Sequence, residues 1–227
     1  MLLTRLKNIL DEFGTANGLL YILGQALQRL THGRAFLVRY HFFAQPVPSE
    51  PQSHVRPSIK SRVREASASD PIVASFPRPH EVIAQRFASG ARCLVAEQEG
   101  RFAGFIWLAR GFYEEDEIRC RYELVPSESC AWDFDVYVVP TYRNGRTFAR
   151  LWDAANALLA KEGINWSLSR ISAFNVTSLA AHQRLGIKQI CSAVFLRIGA
   201  LQISIAPKKI ALHLTGRPTL KLFAPRA

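Results

Sequence analysis

The stretch that decides the fold reads Trp132-Asp-Phe-Asp-Val-Tyr-Val-Val-Pro-Thr-Tyr-Arg-Asn-Gly-Arg-Thr-Phe-Ala-Arg-Leu151. Its first part alternates in polarity and predicts a β-strand that ends at Pro140. A basic turn with one glycine follows, and apolar residues at helical spacing then predict a helix from about Thr147. A strand that leads through a polar turn into a helix N-terminus suits a phosphate group, because the first amides of a helix have no intrahelical partner.

Positive charge is concentrated in the C-terminal part of the chain. The 227 residues carry a formal net charge of +11, and no acidic residue follows Glu162. Such a field suits a polyanionic ligand, namely a nucleotide cofactor, a nucleic acid or an anionic membrane surface. Nucleic acid is the least favoured of the three, because aromatic residues are not interleaved with the basic ones as a stacking surface requires.

The composition is that of a soluble globular protein, with 48% hydrophobic and 21% charged residues. Residues 1–14 mix acids and bases into an apolar pattern, which argues against an ordinary secretory signal. The four cysteines stand singly, so we expect reduced, buried thiols and no metal site. We therefore expect a cytoplasmic protein, and a peripheral contact with anionic membranes remains open. The sequence does not indicate an oligomeric state.

Residues 1–33 are expected to form an amphipathic helical extension, because apolar residues recur at helical spacing over residues 2–30. Gly14 and Gly18 divide this pattern into two helices or one kinked helix. Residues 34–227 are expected to form a single domain. Within it, the segment 45–79 is rich in Pro, Ser and Arg and predicts a long loop or partly disordered connector.

The remaining patterns predict a mixed, mostly antiparallel twisted sheet with flanking helices, an α/β (α+β) fold. The predicted strands are 35–43, 93–98, 102–109, 121–125, 132–139, 169–174, 189–198, 201–205 and 210–214, and the predicted helices are 80–88, 147–162 and 178–185.

Two motifs add chemistry to this order. The turn reads Arg143-Asn144-Gly145-Arg146-Thr147-Phe148, and further along the chain stands Asn175-x-x-Ser178-x-x-x-His182-x-x-Leu185-Gly186. With the order of elements, they resemble the GNAT superfamily of acyl-CoA-dependent N-acyltransferases over roughly residues 80–200. The strand near residue 38 is then the expected first strand.

The resemblance implies acetyl-CoA or another acyl-CoA as co-substrate and no metal. Backbone amides at the strand end would polarise the thioester carbonyl and stabilise its developing oxyanion. The turn would hold the pyrophosphate, and the second motif would flank the pantetheine arm. The residues that the resemblance assigns to the donor are Val138, Val139, Arg143, Asn144, Gly145, Arg146, Thr147, Asn175 and Ser178.

The turn departs from the family pattern Gln/Arg-x-x-Gly-x-Gly/Ala, because Arg146 and Phe148 replace both small residues. Small residues there allow the backbone to approach the phosphates closely. Arg143 and Arg146 can supply charge-assisted bonds in their place. The alternative is a non-catalytic binding module with this fold, recruited for a membrane surface or a polyanion.

The resemblance also suggests the groups that move protons. Asp135 lies where relatives often carry a catalytic base, and the two-residue period of a strand places Asp133 on the same face. His182 stands where relatives carry a tyrosine that protonates the departing thiolate. Each has a structural alternative: a solvated face or an ion pair with an arginine for Asp135, a solvent-facing imidazole for His182, and a helix cap for Ser178.

The expected reaction is transfer of an acyl group, most simply acetyl, from acyl-CoA to a primary amine of a small molecule or sugar by direct attack. No cysteine has a motif-placed histidine, so a covalent acyl-enzyme is not expected.

Overall fold

The computed structural model describes residues 2–50, 55–56, 58–183, 186–207 and 209–226. The chain forms two compact units, which we treat separately. The first comprises residues 1–45, 114–123 and 169–227, and the second comprises residues 46–113 and 124–168. Both combine helices with mostly antiparallel strands, which confirms the predicted fold class and the N-terminal helices.

The helices are α1 (Leu2–Phe13), α2 (Thr15–Leu30), α3 (His80–Ala88), α4 (Thr147–Lys161) and α5 (Val176–Gln183). The strands are β1 (Ala35–Pro46), β2 (Ser61–Ala66), β3 (Arg92–Gln98), β4 (Arg101–Arg110), β5 (Phe112–Glu114), β6 (Arg121–Val125), β7 (Cys130–Val138), β8 (Trp166–Ser172), β9 (Lys188–Ile198), β10 (Leu201–Ala206), β11 (Lys209–His213) and β12 (Thr219–Phe223). Short 3-10 turns lie at Pro71–Ser75, Ser127–Ser129 and Pro140–Tyr142.

In the first unit, antiparallel strands follow the order β11-β10-β9-β1. The N-terminal pattern breaks at Gly14, whose φ of 75° lies in the left-handed region that glycine tolerates best. Helices α1 and α2 therefore form as two helices, as one of the two predicted arrangements had it. The rings of Phe13 and Tyr21 pack against Phe174, which ties both helices to the strand-bearing part of the unit.

In the second unit, β2, β3, β4 and β7 pair antiparallel in that order. Strand β7 also pairs in parallel with β8, through Cys130–Trp132 and residues 166–168. Helix α4 provides the crossover that a parallel pair requires. It buries Leu151 and Trp152 and packs against β3 and β4.

A cluster of aromatic and aliphatic side chains forms a core in the second unit, around Cys93, Val95, Phe105 and Trp107. Helix α3 contributes Ile83 and Phe87 to it. Ile83 and Phe87 are four residues apart and so share one helix face, which explains why this short helix docks by that side.

The predicted connector 45–79 is wrong over two stretches, because it contains strand β2 and the 3-10 turn Pro71–Ser75. Strand β2 pairs with β3 over its full length. Arg64 in β2 bonds to Glu97 of β3 at 2.6 Å and also pairs with Asp70. The pairing strand β3 and Glu97 lie outside the segment, so the residues of β2 give no local sign of a strand.

Other expectations can be compared directly. Strands β5 and β12 were not predicted, and β8 begins and ends earlier than the predicted 169–174. All four cysteines are free thiols, as expected, and three of them are buried. Within the described residues, no group of His, Cys, Asp or Glu could hold a metal ion. Nor does any described helix have the length and apolarity needed to cross a membrane.

Candidate active site

A β-bulge interrupts strand β7 of the second unit. Phe105 pairs with Tyr137 and Trp107 with Phe134, so two residues of β7 oppose one residue of β4. Asp135, inside the bulge, has a φ of 47°, in the left-handed region. The extra residue changes the phase of the strand, so that Phe134 and Tyr137 both pack on the core around Phe105 and Trp107.

The bulge separates the two aspartates that alternation had placed together. Trp132 and Phe134 both contact the ring of Tyr113, so Asp133 between them faces the other side of the sheet. There it is buried and accepts a hydrogen bond from the hydroxyl of Ser167 at 3.2 Å. The predicted shared face of Asp133 and Asp135 is therefore wrong.

Two arginines hold the carboxylate of Asp135. Arg78 donates from Nε to Oδ2 at 2.8 Å and from Nη2 to Oδ1, and Arg86 donates from Nη1 to Oδ2 at 2.5 Å. The Asp135 side chain is only 12% exposed. The structural alternative for this residue, an ion pair with arginine, is what the structure contains. Because its oxygens already accept these bonds, the carboxylate is poorly placed to take a proton from an amine.

The two valines at the end of β7 differ in what their amides do. The N–H of Val139 donates to the carbonyl of Ala103 at 2.9 Å, so it is not available to a ligand. Successive N–H groups of a strand point to opposite edges, and the N–H of Val138 therefore points away from β4. Gly104 lies opposite Val138. A Cβ at Gly104 would lie 2.4 Å from the carbonyl oxygen of Tyr137, so only glycine fits this close approach.

The predicted phosphate turn lies between the 3-10 turn Pro140–Tyr142 and helix α4. The N–H of Gly145 donates to the carbonyl of Tyr142 at 3.1 Å, which closes the turn. The N-cap residue of α4 is Arg146, whose side chain makes no capping hydrogen bond. The turn lines an open cavity of ≈ 320 Å³, to which Thr147 and Arg150 also contribute. The start of α4 thus offers helix amides and two guanidinium groups to an anion.

Phe148, the second departure from the family pattern, does not belong to the described lining of this cavity. Its ring lies 6.3 Å from that of Trp152, one turn further along α4. The aromatic side chain therefore packs along the helix and does not crowd the turn. Arg143 and Asn144 are exposed, and Nε of Arg143 donates to the carbonyl of Val138 at 3.1 Å.

The second motif lies in the first unit and forms the start of α5. Asn175 accepts the N–H of Ser178 on Oδ1 at 3.0 Å and donates its own N–H to the carbonyl of Ser172 at 2.9 Å. Asn175 is therefore the helix cap and fixes the strand–helix turn. The alternative that Ser178 caps the helix is wrong, since Ser178 supplies the capped amide.

His182 is buried, with 9% of its surface exposed, so the solvent-facing alternative is also wrong. Its Nδ1 lies 2.8 Å from the carbonyl oxygen of Ser178, and because a carbonyl only accepts, Nδ1 carries the proton. Burial lowers the pKa of His182, and the bond to Ser178 opposes that shift. The imidazole is thus neutral near pH 7, which argues against the predicted role as acid. Arg184 and Leu185 of the motif lie outside the described residues.

A cavity of ≈ 400 Å³ opens in the first unit beside this motif, and both Asn175 and Ser178 line it. Its charged lining residues, Glu117 and Arg170, were not among the predicted site residues. They come from segments far apart in the chain. Glu117 belongs to the acidic run Glu114–Glu117, for which a solvated loop is the default interpretation and an entrance for the acceptor is the alternative.

A buried ionic network supports the wall of this cavity. Arg170 donates two hydrogen bonds to the fully buried Glu115, at 2.7 and 2.6 Å. Its guanidinium lies 4.1 Å from the ring centroid of Tyr40, whose hydroxyl donates to Glu117. Burial raises the pKa of Tyr40, so the phenol keeps its proton and remains a donor.

A sequence model described as the acetyltransferase (GNAT) family matches residues 61–187, more than half of the chain. The chain belongs to the GNAT acetyltransferase family. The match includes β2 and the whole second unit from there on, and extends through α5. This GNAT chain therefore carries a domain of a family that uses acyl-CoA. A search of curated proteins gave no match.

Solved structures that are similar to this chain are distant in sequence. A Drosophila protein is 14% identical, with a TM-score of 0.50 over 77% of this GNAT chain and 56% of its own. A conserved protein of unknown function from Staphylococcus epidermidis is 10% identical, with a TM-score of 0.50 over 76% and 66%. A Novosphingobium aromaticivorans protein assigned to the GNAT family is 16% identical, with a TM-score of 0.48 over 71% and 63%. The chain spans less than two thirds of each of these proteins.

Proposed function

We propose that the chain is an N-acyltransferase that transfers an acyl group, acetyl in the simplest case, from acyl-CoA to a primary amine. The start of helix α4 carries this proposal. This helix is the first α-helix after strand β7, its N-cap residue Arg146 makes no side-chain cap, and it lines a cavity with Arg146 and Arg150. A diphosphate bound there would accept hydrogen bonds from the helix amides and from both guanidinium groups.

The missing glycines of the turn do not exclude a diphosphate in this arrangement. Gly145 supplies the tight turn one position early, and Phe148 packs away toward Trp152. Arg146 replaces the first small residue of the family pattern and adds a positive charge at the cavity. Donor binding here therefore relies more on charge and less on close backbone approach than the family pattern implies.

The reaction needs few groups from the protein. The ammonium loses one proton, and the neutral nitrogen attacks the thioester carbonyl carbon. The carbonyl oxygen becomes negative and accepts a hydrogen bond from the N–H of Val138. As the oxyanion collapses, the C–S bond breaks, the second nitrogen proton passes to the departing thiolate, and the products are an amide and free CoA. This route requires neither an acid at His182 nor an acyl-enzyme.

We assign Asp135 a positioning role in this scheme. Its pairs with Arg78 and Arg86 hold the bulge, and the bulge sets the phase of the strand that ends in Val138. A catalytic base at Asp135 would have to leave both arginines first. The two roles are distinguishable. If Asp135 is a base, D135N loses activity at every pH and keeps native stability. If Asp135 is a positioning residue, D135N also loses stability.

Calorimetric titration of acetyl-CoA at low salt tests the donor site. The native chain is expected to bind, and R146E should weaken binding roughly tenfold to a hundredfold, as expected for loss of a charge-assisted bond to phosphate. R34E makes the same charge change at an exposed residue outside the described lining of the cavity and should leave affinity unchanged. No binding by the folded native chain would overturn the proposal.

The second candidate is a non-catalytic binding module, which the engagement of Asp135 by two arginines favours. A binding module is also consistent with the replacement of the small residues in the family's phosphate turn. The two candidates differ in one observable, the release of free CoA. A module binds acetyl-CoA or another polyanion without releasing thiol in the presence of any amine, whereas the enzyme releases thiol with at least one amine of a panel.

A further inference from the structure

The ≈ 400 Å³ cavity of the first unit has a wall that the family match does not include. Helix α2, within the N-terminal extension, lines it with Tyr21, Gln25 and Gln28. Gly24 of the same helix is buried, and a Cβ there would lie 3.3 Å from the carbonyl oxygen of Leu37 in β1. The extension is thus packed closely on the strand and forms a fixed wall of the cavity.

Among the charged groups at the cavity, Glu117 lies outside the buried pair of Arg170 and Glu115, and Arg197 donates to the backbone carbonyl of Glu117 at 3.5 Å. Arg170 is matched by the buried Glu115, which accepts two of its hydrogen bonds. Glu117 lies 3.6 Å from Arg170 and is 54% exposed. In a chain of net charge +11, a cavity with an excess carboxylate selects for a cation over an anion.

The uncharged lining is half polar and half apolar, and its apolar part includes Phe36, Leu37 and Phe174. Two glutamines of α2 face Ser172 and the motif residues Asn175 and Ser178 around the same space. Amides and hydroxyls of this kind hydrogen-bond hydroxyl or amide groups of a ligand, and they disfavour a long alkyl chain, which would leave them unpaired. The volume lies within the range of about 300–1,000 Å³ that small-molecule sites occupy.

We propose that this cavity binds the acyl acceptor as a hydrophilic ammonium compound that carries hydroxyl or amide groups, with Glu117 as its counter-ion. Helix α2 limits the size of that acceptor. The name acceptor rests on the proposed N-acyltransferase function, and the cavity adjoins Asn175 and Ser178, which the family motif associates with the pantetheine arm. The binding of a hydrophilic amine does not depend on that function.

The charge of the ligand is tested with the full chain by calorimetry in the absence of acyl-CoA. The probes are glucosamine and ethanolamine, with glucose as the neutral analogue of the first and hexylamine as an apolar amine. At least one hydrophilic amine should bind tenfold or more tightly than glucose and hexylamine. If no hydrophilic amine exceeds these two, the proposal is overturned.

The role of Glu117 is tested by E117Q, which should weaken binding of the same amine at least tenfold and leave acetyl-CoA affinity unchanged. D116N removes the same charge one residue away, at an exposed position outside the described lining, and should change neither affinity. Equal effects of E117Q and D116N would show that amine binding responds to the total charge of the loop. That result would contradict a specific site at Glu117.

The wall formed by α2 is tested by Q25W, which fills the cavity, against A26W, which places the same side chain at an exposed position of the helix. Only Q25W should abolish amine binding, and circular dichroism should be native for both. If the amine binds with dependence on Glu117 but acetyl-CoA does not bind, the enzyme proposal fails and the ligand class stands. If acetyl-CoA binds and Q25W leaves every amine unaffected, the cavity proposal fails alone.

Discussion

Arg86 donates a hydrogen bond from Nη1 to Oδ2 of Asp135 at 2.5 Å, and this pair joins helix α3 to the bulge of strand β7. The guanidinium of Arg86 lies 5.2 Å from the ring centroid of Phe134 and 5.4 Å from that of Trp107. Arg86 is therefore held by two aromatic rings and by the carboxylate of Asp135. This ion pair keeps Asp135 in a left-handed backbone conformation that it would otherwise rarely adopt.

Replacement of Asp135 by asparagine should lower the free energy of unfolding by about 2–3 kcal/mol, since it leaves two partly buried guanidinium groups without a counter-charge. Urea denaturation measures this loss. E81Q, at an exposed residue of α3, is the matched control and should stay within about 0.5 kcal/mol of the native chain. A D135N chain of native stability with no thiol release would instead support a catalytic base.

Replacement of Gly104 by alanine should cost about 1–3 kcal/mol of stability, because the new Cβ would lie 2.4 Å from the carbonyl oxygen of Tyr137. It should also weaken acetyl-CoA binding, because Val138 lies opposite. G100A, in the β3–β4 turn, meets no atom within 4 Å but has a φ of +74°, so it isolates the cost of the left-handed backbone. Loss of donor affinity in G100A but not in G104A would contradict this assignment.

Stability should fall as pH is lowered from 7 to 5. Burial lowers the pKa of His41, His182 and His213, in each case as the main cause. Below the ordinary value of 6.5, the unfolded chain therefore binds more protons than the folded one, and folding weakens. The melting temperature across this range measures the effect, and H182Q should flatten it.

A separate window belongs to the carboxylates. A hydrogen bond from Arg92 lowers the pKa of Glu65, and one from Arg64 lowers the pKa of Asp70. Both carboxylates therefore stabilise the fold above about pH 4 and lose that contribution only at lower pH. A melting temperature that rises between pH 7 and pH 5 would contradict the burial of the three histidines.

The cysteines should react slowly with a thiol reagent in the native chain. Burial raises the pKa of Cys120 to about 12 and that of Cys191 to about 11, and it raises the pKa of Cys93 and Cys130 as well. Since the thiolate is the reactive species, less than one thiol per chain should react within minutes at pH 7.5. All four should react in urea. Rapid native labelling would show an accessible, activated thiol.

Periodicity was enough to predict most elements of this fold, because helices α1 to α4 and strands such as β9 carry their own apolar pattern. Strand β2 escaped prediction because its partners lie in β3 and its arginines look like a solvated loop. The break at Gly14 was visible because glycine marks a backbone that other residues avoid.

The site was harder to predict than the fold, because its decisive features arise from pairing. A left-handed aspartate at position 135 has no signal in its own segment, since the bulge is defined by which residues of β4 stand opposite. Asn175 and Ser178 were recognised as a motif, but only hydrogen bonding shows which of them caps the helix. The cavity near Glu117 and Arg170 gathers residues from four separate parts of the chain.

The bulge also bears on how this strand can be compared with others. Residues before it and after it follow two different alternation frames, yet Phe134 and Tyr137 reach the same side. Deleting one residue at 135 or 136 would give the whole strand a single alternation of faces and remove the left-handed backbone. Phe134 and Tyr137 would then stand two positions apart on one face of a regular strand. An alignment that slides a gap through this strand without regard to the extra residue would therefore exchange inward and outward positions over half of it.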